Sequence, residues 1–269
     1  MKTYTVDSFT KEAFKGNPAG VCFPLTDISD QKMLDIANEL GLSETAFVWA
    51  ADNENTYRIR YFSPKKEIPL CGHATLASAK VLFKINGGDR IHFITGENLE
   101  LFIAREHDEI IMEFPTYETI PIEVPNSILN ALGLSAIVNS AYSERNKIIL
   151  LEINSADALA SLKPDFKALV NSYKGINGVL VTASSNMPAY DYHYRYFWPW
   201  AGTDEDPVTG GVQTFLANYW GKKLGKTNMK AFQSSKRTGT MDVELKGDKV
   251  LLKSQAVIIF EGNLLAFDS

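Results

Sequence analysis

Arg60-Tyr61-Phe62-Ser63-Pro64 recurs half a chain length later as Arg195-Tyr196-Phe197-Trp198-Pro199. The likeness runs on. Seven residues past each proline stand Cys71-Gly72-His73-Ala74-Thr75 and Asp206-Pro207-Val208-Thr209-Gly210, each opening an apolar stretch with helical spacing. A strand, a turn and a helix start built twice at equal spacing read as an internal duplication. That constrains a chain of 269 residues to two lobes of similar plan, each large enough to bury a core. A site between two such lobes would be faced by two helix starts. Their free backbone N–H groups and positive dipole ends suit a negatively charged ligand.

The apolar pattern of the first half predicts strands near 3–9, 19–23, 45–50 and 56–62, with helices near 30–40 and 72–85. Alternating runs follow near 90–95, 98–104 and 109–114. Ser29 or Asp30 caps the first helix and Gly41 stops it. The second half predicts a helix near 126–132, strands near 136–142 and 147–153, and helical turns over 156–170. Strands near 178–184 and 190–197, a helix near 207–221 and alternating runs near 229–234, 240–246, 249–254 and 257–267 complete it. Pro115, Pro121 and Pro125 mark a linker, placing one lobe at 1–114 and the other at 115–261. The last strand, 262–269, can return to the first lobe. Long helices among antiparallel strands in both halves make the fold class α+β.

Composition narrows the function. A net charge of −5 gives no basic face for nucleic acid or an anionic membrane. No apolar run reaches membrane-spanning length, and Met1-Lys2-Thr3-Tyr4-Thr5-Val6-Asp7 reads as a strand rather than a signal peptide, so a cytoplasmic location is expected. Cys22 and Cys71 give neither a disulfide framework nor a CxxC metal signature. His92, His107 and His193 have no partner at metal-ligand spacing, so no metal site is expected. The Gly-x-Gly-x-x-Gly, Walker and Gly-x-Ser-x-Gly patterns are absent, which removes support for nucleotide cofactors and serine-hydrolase chemistry.

Four places could carry chemistry. Asp206-Pro207 has the form of a helix start, and Asp206, Thr209, Gly210 and Gly211 read either as simple capping or as a polar, glycine-lined mouth where backbone can approach a ligand closely. His73, with Cys71 and Gly72, occupies the matching mouth of the other half, where an imidazole can transfer protons. Glu44 follows a helix terminator and opens an apolar strand; it is either an exposed strand-edge carboxylate or, if that end is buried, a proton shuttle. Cys71 at a helix start could be a reactive thiolate, yet its counterpart is Asp206 and not a second cysteine, which disfavours a two-cysteine racemase.

Gly16-Asn17-Pro18-Ala19-Gly20-Val21, Ser43-Glu44-Thr45-Ala46-Phe47-Val48, Pro69-Leu70-Cys71-Gly72-His73-Ala74-Thr75 and Glu205-Asp206-Pro207-Val208-Thr209-Gly210 together resemble the PhzF isomerase family of phenazine biosynthesis, over nearly the whole chain. The resemblance implies a diaminopimelate-epimerase-like fold: two similar lobes related by a pseudo-two-fold, each a curved antiparallel sheet wrapped around a central helix, with the site in the cleft between them. It implies Glu44 as general acid/base, His73 and Asp206 as polar residues that orient substrate and help set its protonation, and N–H groups of Gly72, His73, Gly210 and Gly211 as carboxylate binders. It further implies a homodimer and a cofactor-free reaction that moves a hydrogen between ring carbons of a dihydro-hydroxyanthranilate. One position departs: Gly211 stands where the family commonly has serine, which removes a hydroxyl that could touch the substrate's carboxylate.

The expectation is thus a cofactor-independent isomerase acting on a small carboxylate. Two alternatives stay open at this point: an amino-acid racemase or epimerase using Cys71, and a non-catalytic binding or adaptor protein that keeps the same cleft.

Overall fold

The computed structural model describes residues 1–265, so the end of the expected final strand, 266–269, lies outside the described residues. The chain divides into two compact units, one running from Met1 to Glu113 and resuming at Leu252, the other spanning Phe114–Leu251. The first contains β1 (Lys2–Ser8), β2 (Asn17–Phe23), α1 (Asp30–Leu40), β3 (Glu44–Ala50), β4 (Thr56–Phe62), the short β5 (Glu67–Ile68), α2 (Gly72–Asn86), β6 (Arg90–Thr95), β7 (Glu100–Glu106) and β8 (Glu109–Pro115). The second contains β9 (Ile120–Pro121), α3 (Asn126–Leu132), β10 (Asn139–Ser143), β11 (Ile148–Ile153), α4 (Ala156–Ser161), α5 (Phe166–Ser172), β12 (Gly178–Ser184), β13 (Tyr192–Trp198), β14 (Thr203–Glu205), α6 (Gln213–Leu224), β15 (Asn228–Gln233) and β16 (Gly239–Lys246), and the chain passes back to the first unit midway along β17 (Lys249–Ser254). Finally β18 (Ala256–Asn263) pairs antiparallel with β1, in the first unit.

The duplication read from the sequence is present as a repeated pairing scheme. In the first unit β1 pairs antiparallel with β2, β2 runs parallel to β3, β3 is antiparallel to β4, and β4 takes both the hairpin partner β5 and the parallel partner β6, which is followed by antiparallel β7. In the second unit β10, β11, β12, β13, β14, β15 and β16 repeat those pairings in the same order. The sheets are therefore mostly antiparallel with two parallel contacts each. The parallel contacts follow from the helices, since parallel neighbours need a long crossover and cannot be joined by a tight turn. Here α1 bridges β2 to β3 and α4 with α5 bridges β11 to β12, while α2 and α6 bridge the second contact in each unit.

Each sheet carries a helix layer on both faces. On β4 the Phe62 side joins Met33, Ile36, Ala37, Phe47 and Trp49 beneath α1, while Tyr61, one residue earlier and so on the opposite face, hydrogen-bonds Thr75 of α2 at 2.6 Å. On β13 Phe197 packs with Leu159, Leu169, Val179 and Val181, while Tyr192 and Tyr194 point the other way, toward Gln213 and Thr209 near the start of α6. The helices differ as their positions require. In α1 only Met33, Ile36 and Ala37 are buried, the stripe of a surface helix, whereas α2 buries His73 through Ala79 without a break. Ala74, Ala77, Ser78 and Ala79 on it are fully buried. The central helix is thus enclosed.

Candidate active site

In the first unit three segments meet at the start of α2. Glu44 is the first residue of β3, placed by the left-handed Gly41 that ends α1, and its carboxylate lies 3.1 Å from His73 Nε2. Both side chains are more than nine-tenths buried. Cys71 caps the helix without a side-chain cap bond, and its sulfur lies 3.4 Å from His73 Nδ1. Ser8, at the end of β1, donates to the His73 carbonyl at 2.7 Å, and its register partner Asn17 places Nδ2 3.3 Å from His73 Nδ1. Gly16 makes that approach possible, because it turns at φ 67° and a Cβ there would stand 2.1 Å from the Ser8 carbonyl oxygen. Sequence reading placed Glu44, Cys71 and His73 in view but gave no role to Ser8 or Asn17. Asn17 sat inside a quoted motif; only the β1–β2 register shows what it touches.

Burial pushes the Cys71 thiol above its ordinary range, so it is a protonated thiol at neutral pH. For His73, burial lowers the pKa, but Cys71 and Glu44 both raise it, and the net direction is well upward. A thiolate would contribute the larger part of that rise and Cys71 is not one near neutrality. Beside a thiol, the contribution that remains is that of the Glu44 carboxylate at Nε2, which acts against burial.

Glu44, Cys71 and His73 each bring one metal-ligating atom within 4.8 Å of the others. Their directions do not converge on one ion. Glu44 meets the ring at Nε2, while the sulfur is closer to Nδ1 at 3.4 Å than to Nε2 at 3.8 Å, so an ion on the Nε2 lone pair would lie away from the sulfur. The arrangement suits a proton relay. α2 adds an anion-binding element, since the N–H groups of its first turn, including Gly72 and His73, have no intrahelical acceptor and no acidic side chain occupies that turn. A cavity of about 400 Å³ on the same unit, lined by Arg60, Glu67, Pro69, Gly96 and Glu97, includes neither Glu44 nor His73. Arg60 there is already paired with Glu67 and Asp30.

In the second unit the expectation of a helix beginning at 207 is corrected: α6 starts at Gln213, and residues 206–212 form a turn. Within that turn the Asp206 Oδ2 accepts from the Thr209 hydroxyl at 2.5 Å. The cause is Gln233, the last residue of β15 and fully buried, whose Oε1 accepts from the Thr209 N–H at 2.7 Å while its Nε2 donates to the Asp206 carbonyl at 2.6 Å. The side-chain amide takes the place of the first helical hydrogen bonds. Gly210 and Gly211 then carry the chain into α6, their carbonyls accepting from the Gln213 and Thr214 N–H groups. Gln233 lies outside every motif and no local pattern marks it. Replacing it by leucine removes both of these hydrogen bonds to backbone and is expected to destabilise the protein by about 2 kcal/mol, measured by urea unfolding.

The chain is similar to known proteins over nearly its whole length. The family model described as phenazine biosynthesis-like protein, PhzC-PhzF, matches residues 6–262. A mouse phenazine biosynthesis-like domain-containing protein is 38% identical, with 99% of each chain covered. An uncharacterized isomerase of Halalkalibacterium halodurans is 39% identical, with 97% of each covered. Among solved structures, a PhzF-family protein of Enterococcus faecalis superposes with a TM-score of 0.90 at 33% identity, covering 98% of this chain and 99% of that one. A probable proline racemase at 10% identity and a TM-score of 0.62 shares the fold alone, that of the diaminopimelate-epimerase-like proteins. By sequence and by fold, this chain belongs to the PhzC-PhzF, or phenazine biosynthesis-like, family.

Proposed function

We propose that the protein is an isomerase that moves a proton between carbons of a small carboxylate, using its own side chains as acid and base without a cofactor. The observation that carries this is the buried contact of Glu44 with His73 at 3.1 Å beside the open first turn of α2. Glu44 removes a proton from carbon next to an electron-withdrawing group and returns it elsewhere, and His73 holds the carboxylate in place and shares its proton. First-turn N–H groups, including those of Gly72 and His73, take the substrate's negative charge, an electrostatic contribution that persists as charge develops in the transition state. Asp206, with Thr209, Gly210 and Gly211, is assigned the polar substrate contacts that the family resemblance implies. The homodimer and cytoplasmic location belong to the same proposal; among the described residues no helix is long and apolar enough to cross a membrane.

The racemase reading requires Cys71 as a base, and a buried thiol with a raised pKa is poorly suited to that role. Cys71→Ser separates the two. It is expected to lower turnover by about threefold or less, measured over a panel of small amino and hydroxy carboxylates that includes the dihydro-hydroxyanthranilate, because serine keeps a donor beside His73 Nδ1. A loss of about a hundredfold or more would transfer the base to Cys71.

A further inference from the structure

His73 has two ring nitrogens, and only one of them faces Glu44. A neutral imidazole carries its single proton on one nitrogen and is an acceptor at the other, so whatever meets Nδ1 decides what Nε2 offers to the carboxylate. The group that meets Nδ1 is the side-chain amide of Asn17, fully buried, with Nδ2 at 3.3 Å. In this orientation the Ser43 hydroxyl donates to Oδ1 at 3.5 Å and Nδ2 lies toward the ring. We propose that Asn17 is a positioning residue that fixes neutral His73 as the Nε2–H tautomer, aiming that N–H at the Glu44 carboxylate.

The surroundings favour this assignment. Ser43 and Glu44 are consecutive residues, so one strand entry orients both the amide that reads Nδ1 and the carboxylate that reads Nε2. Ser8 and Asn17 are register partners, so the same β1–β2 pair holds the His73 backbone by one residue and its ring by the other. The titratable groups acting on the ring are Glu44, from β3, and Cys71, at the head of the same helix; the contacts from β1 and β2 are the neutral Ser8 and Asn17. The Cys71 sulfur, 3.4 Å from Nδ1 and 3.8 Å from Nε2, lies against both nitrogens and does not select a tautomer. The consequence for catalysis is directional. In that neutral form, Glu44 can pass a proton to or from substrate while the Nε2–H holds its second oxygen, and a proton arriving at Nδ1 is opposed by the amide N–H already there.

The assignment rests on the reading of Glu44 and His73 as the proton-transfer pair, but its test does not use turnover. Protein labelled with 15N-histidine is titrated by NMR, with the His73 signals identified among the four histidines by comparison with His73→Asn. Above its titration midpoint, His73 is expected to show a protonated Nε2 and an unprotonated, hydrogen-bonded Nδ1. Asn17→Asp replaces the donor by an acceptor and is expected to raise the His73 midpoint by about one unit or more. A wild-type ring protonated at Nδ1, or a midpoint unmoved by Asn17→Asp, would overturn the assignment. If Asn17→Asp does not fold, Asn17→Leu is read instead: the Nδ1 resonance must move and the Nδ1–H form must appear, and an unchanged spectrum counts against the proposal. Should the tautomer behave as stated while Glu44 proves dispensable for turnover, the proposed function fails and the role of Asn17 in setting the ring stands.

Discussion

Glu44→Gln is expected to lower turnover by about a hundredfold or more while leaving the melting profile close to that of the wild type. Glutamine has the same shape and keeps an oxygen that can accept from His73 Nε2, so the 3.1 Å contact and the packing around it survive. Proton capacity does not survive, because an amide neither takes up nor releases a proton near neutrality. A hundredfold loss corresponds to about 2.7 kcal/mol of transition-state stabilisation, within the range of a single acid/base group. It should appear in kcat more than in KM, since Glu44 is assigned no part in holding the carboxylate of the substrate. Circular dichroism of the variant separates this outcome from a folding defect.

The second large effect concerns stability and uses the duplication as an internal control. Arg60 and Arg195 occupy equivalent places on β4 and β13, and each grips the glutamate of the following short strand with two hydrogen bonds, Glu67 or Glu205. In register these glutamates are also equivalent, paired opposite Phe62 and Phe197. Burial separates them: side-chain exposure is 27% and 37% for Arg60 and Glu67, but 9% and 16% for Arg195 and Glu205. Arg195 also donates to the carbonyls of Leu159 and Leu162 around the end of α4, and Arg60 keeps Asp30 as a second anion. Glu205→Ala leaves a buried guanidinium without its counter-ion and is expected to cost about 3 kcal/mol. Glu67→Ala should cost about 1 kcal/mol or less, because solvent and Asp30 replace the lost partner. Urea unfolding of the two variants gives the comparison, and equal losses would refute the assignment of the difference to burial.

Much of this was legible in the residues. The repeated aromatic strand and helix start revealed the duplication, and the repeat of pairings from β1–β7 in β10–β16 is its structural form. Residue alternation and helix caps located most elements, as with Ser29 capping α1 and Gly41 ending it in the left-handed conformation. Two things were not legible, and for one reason. Parallel contacts such as β2 with β3 depend on where a crossover returns the chain, which alternation along a strand does not encode. The late start of α6 depends on Gln233, a side chain from another strand that captures the backbone of Thr209. Asp206-Pro207 carries a capping signal, yet Gln233 holds the backbone on either side of Pro207 and the helix begins later. Asn17 belongs to the same class: its motif was visible, while its aim at His73 emerges only from the pairing of β1 with β2.

The central claim is carbon-acid proton transfer by Glu44. Its most direct test is proton NMR in D2O of the wild-type protein and Glu44→Gln with the carboxylate panel. The account predicts isomerisation, or deuterium entering a carbon position, with wild type and its loss with Glu44→Gln. Ligand binding seen by line broadening with no exchange at carbon, or exchange at an undiminished rate in Glu44→Gln, would contradict it.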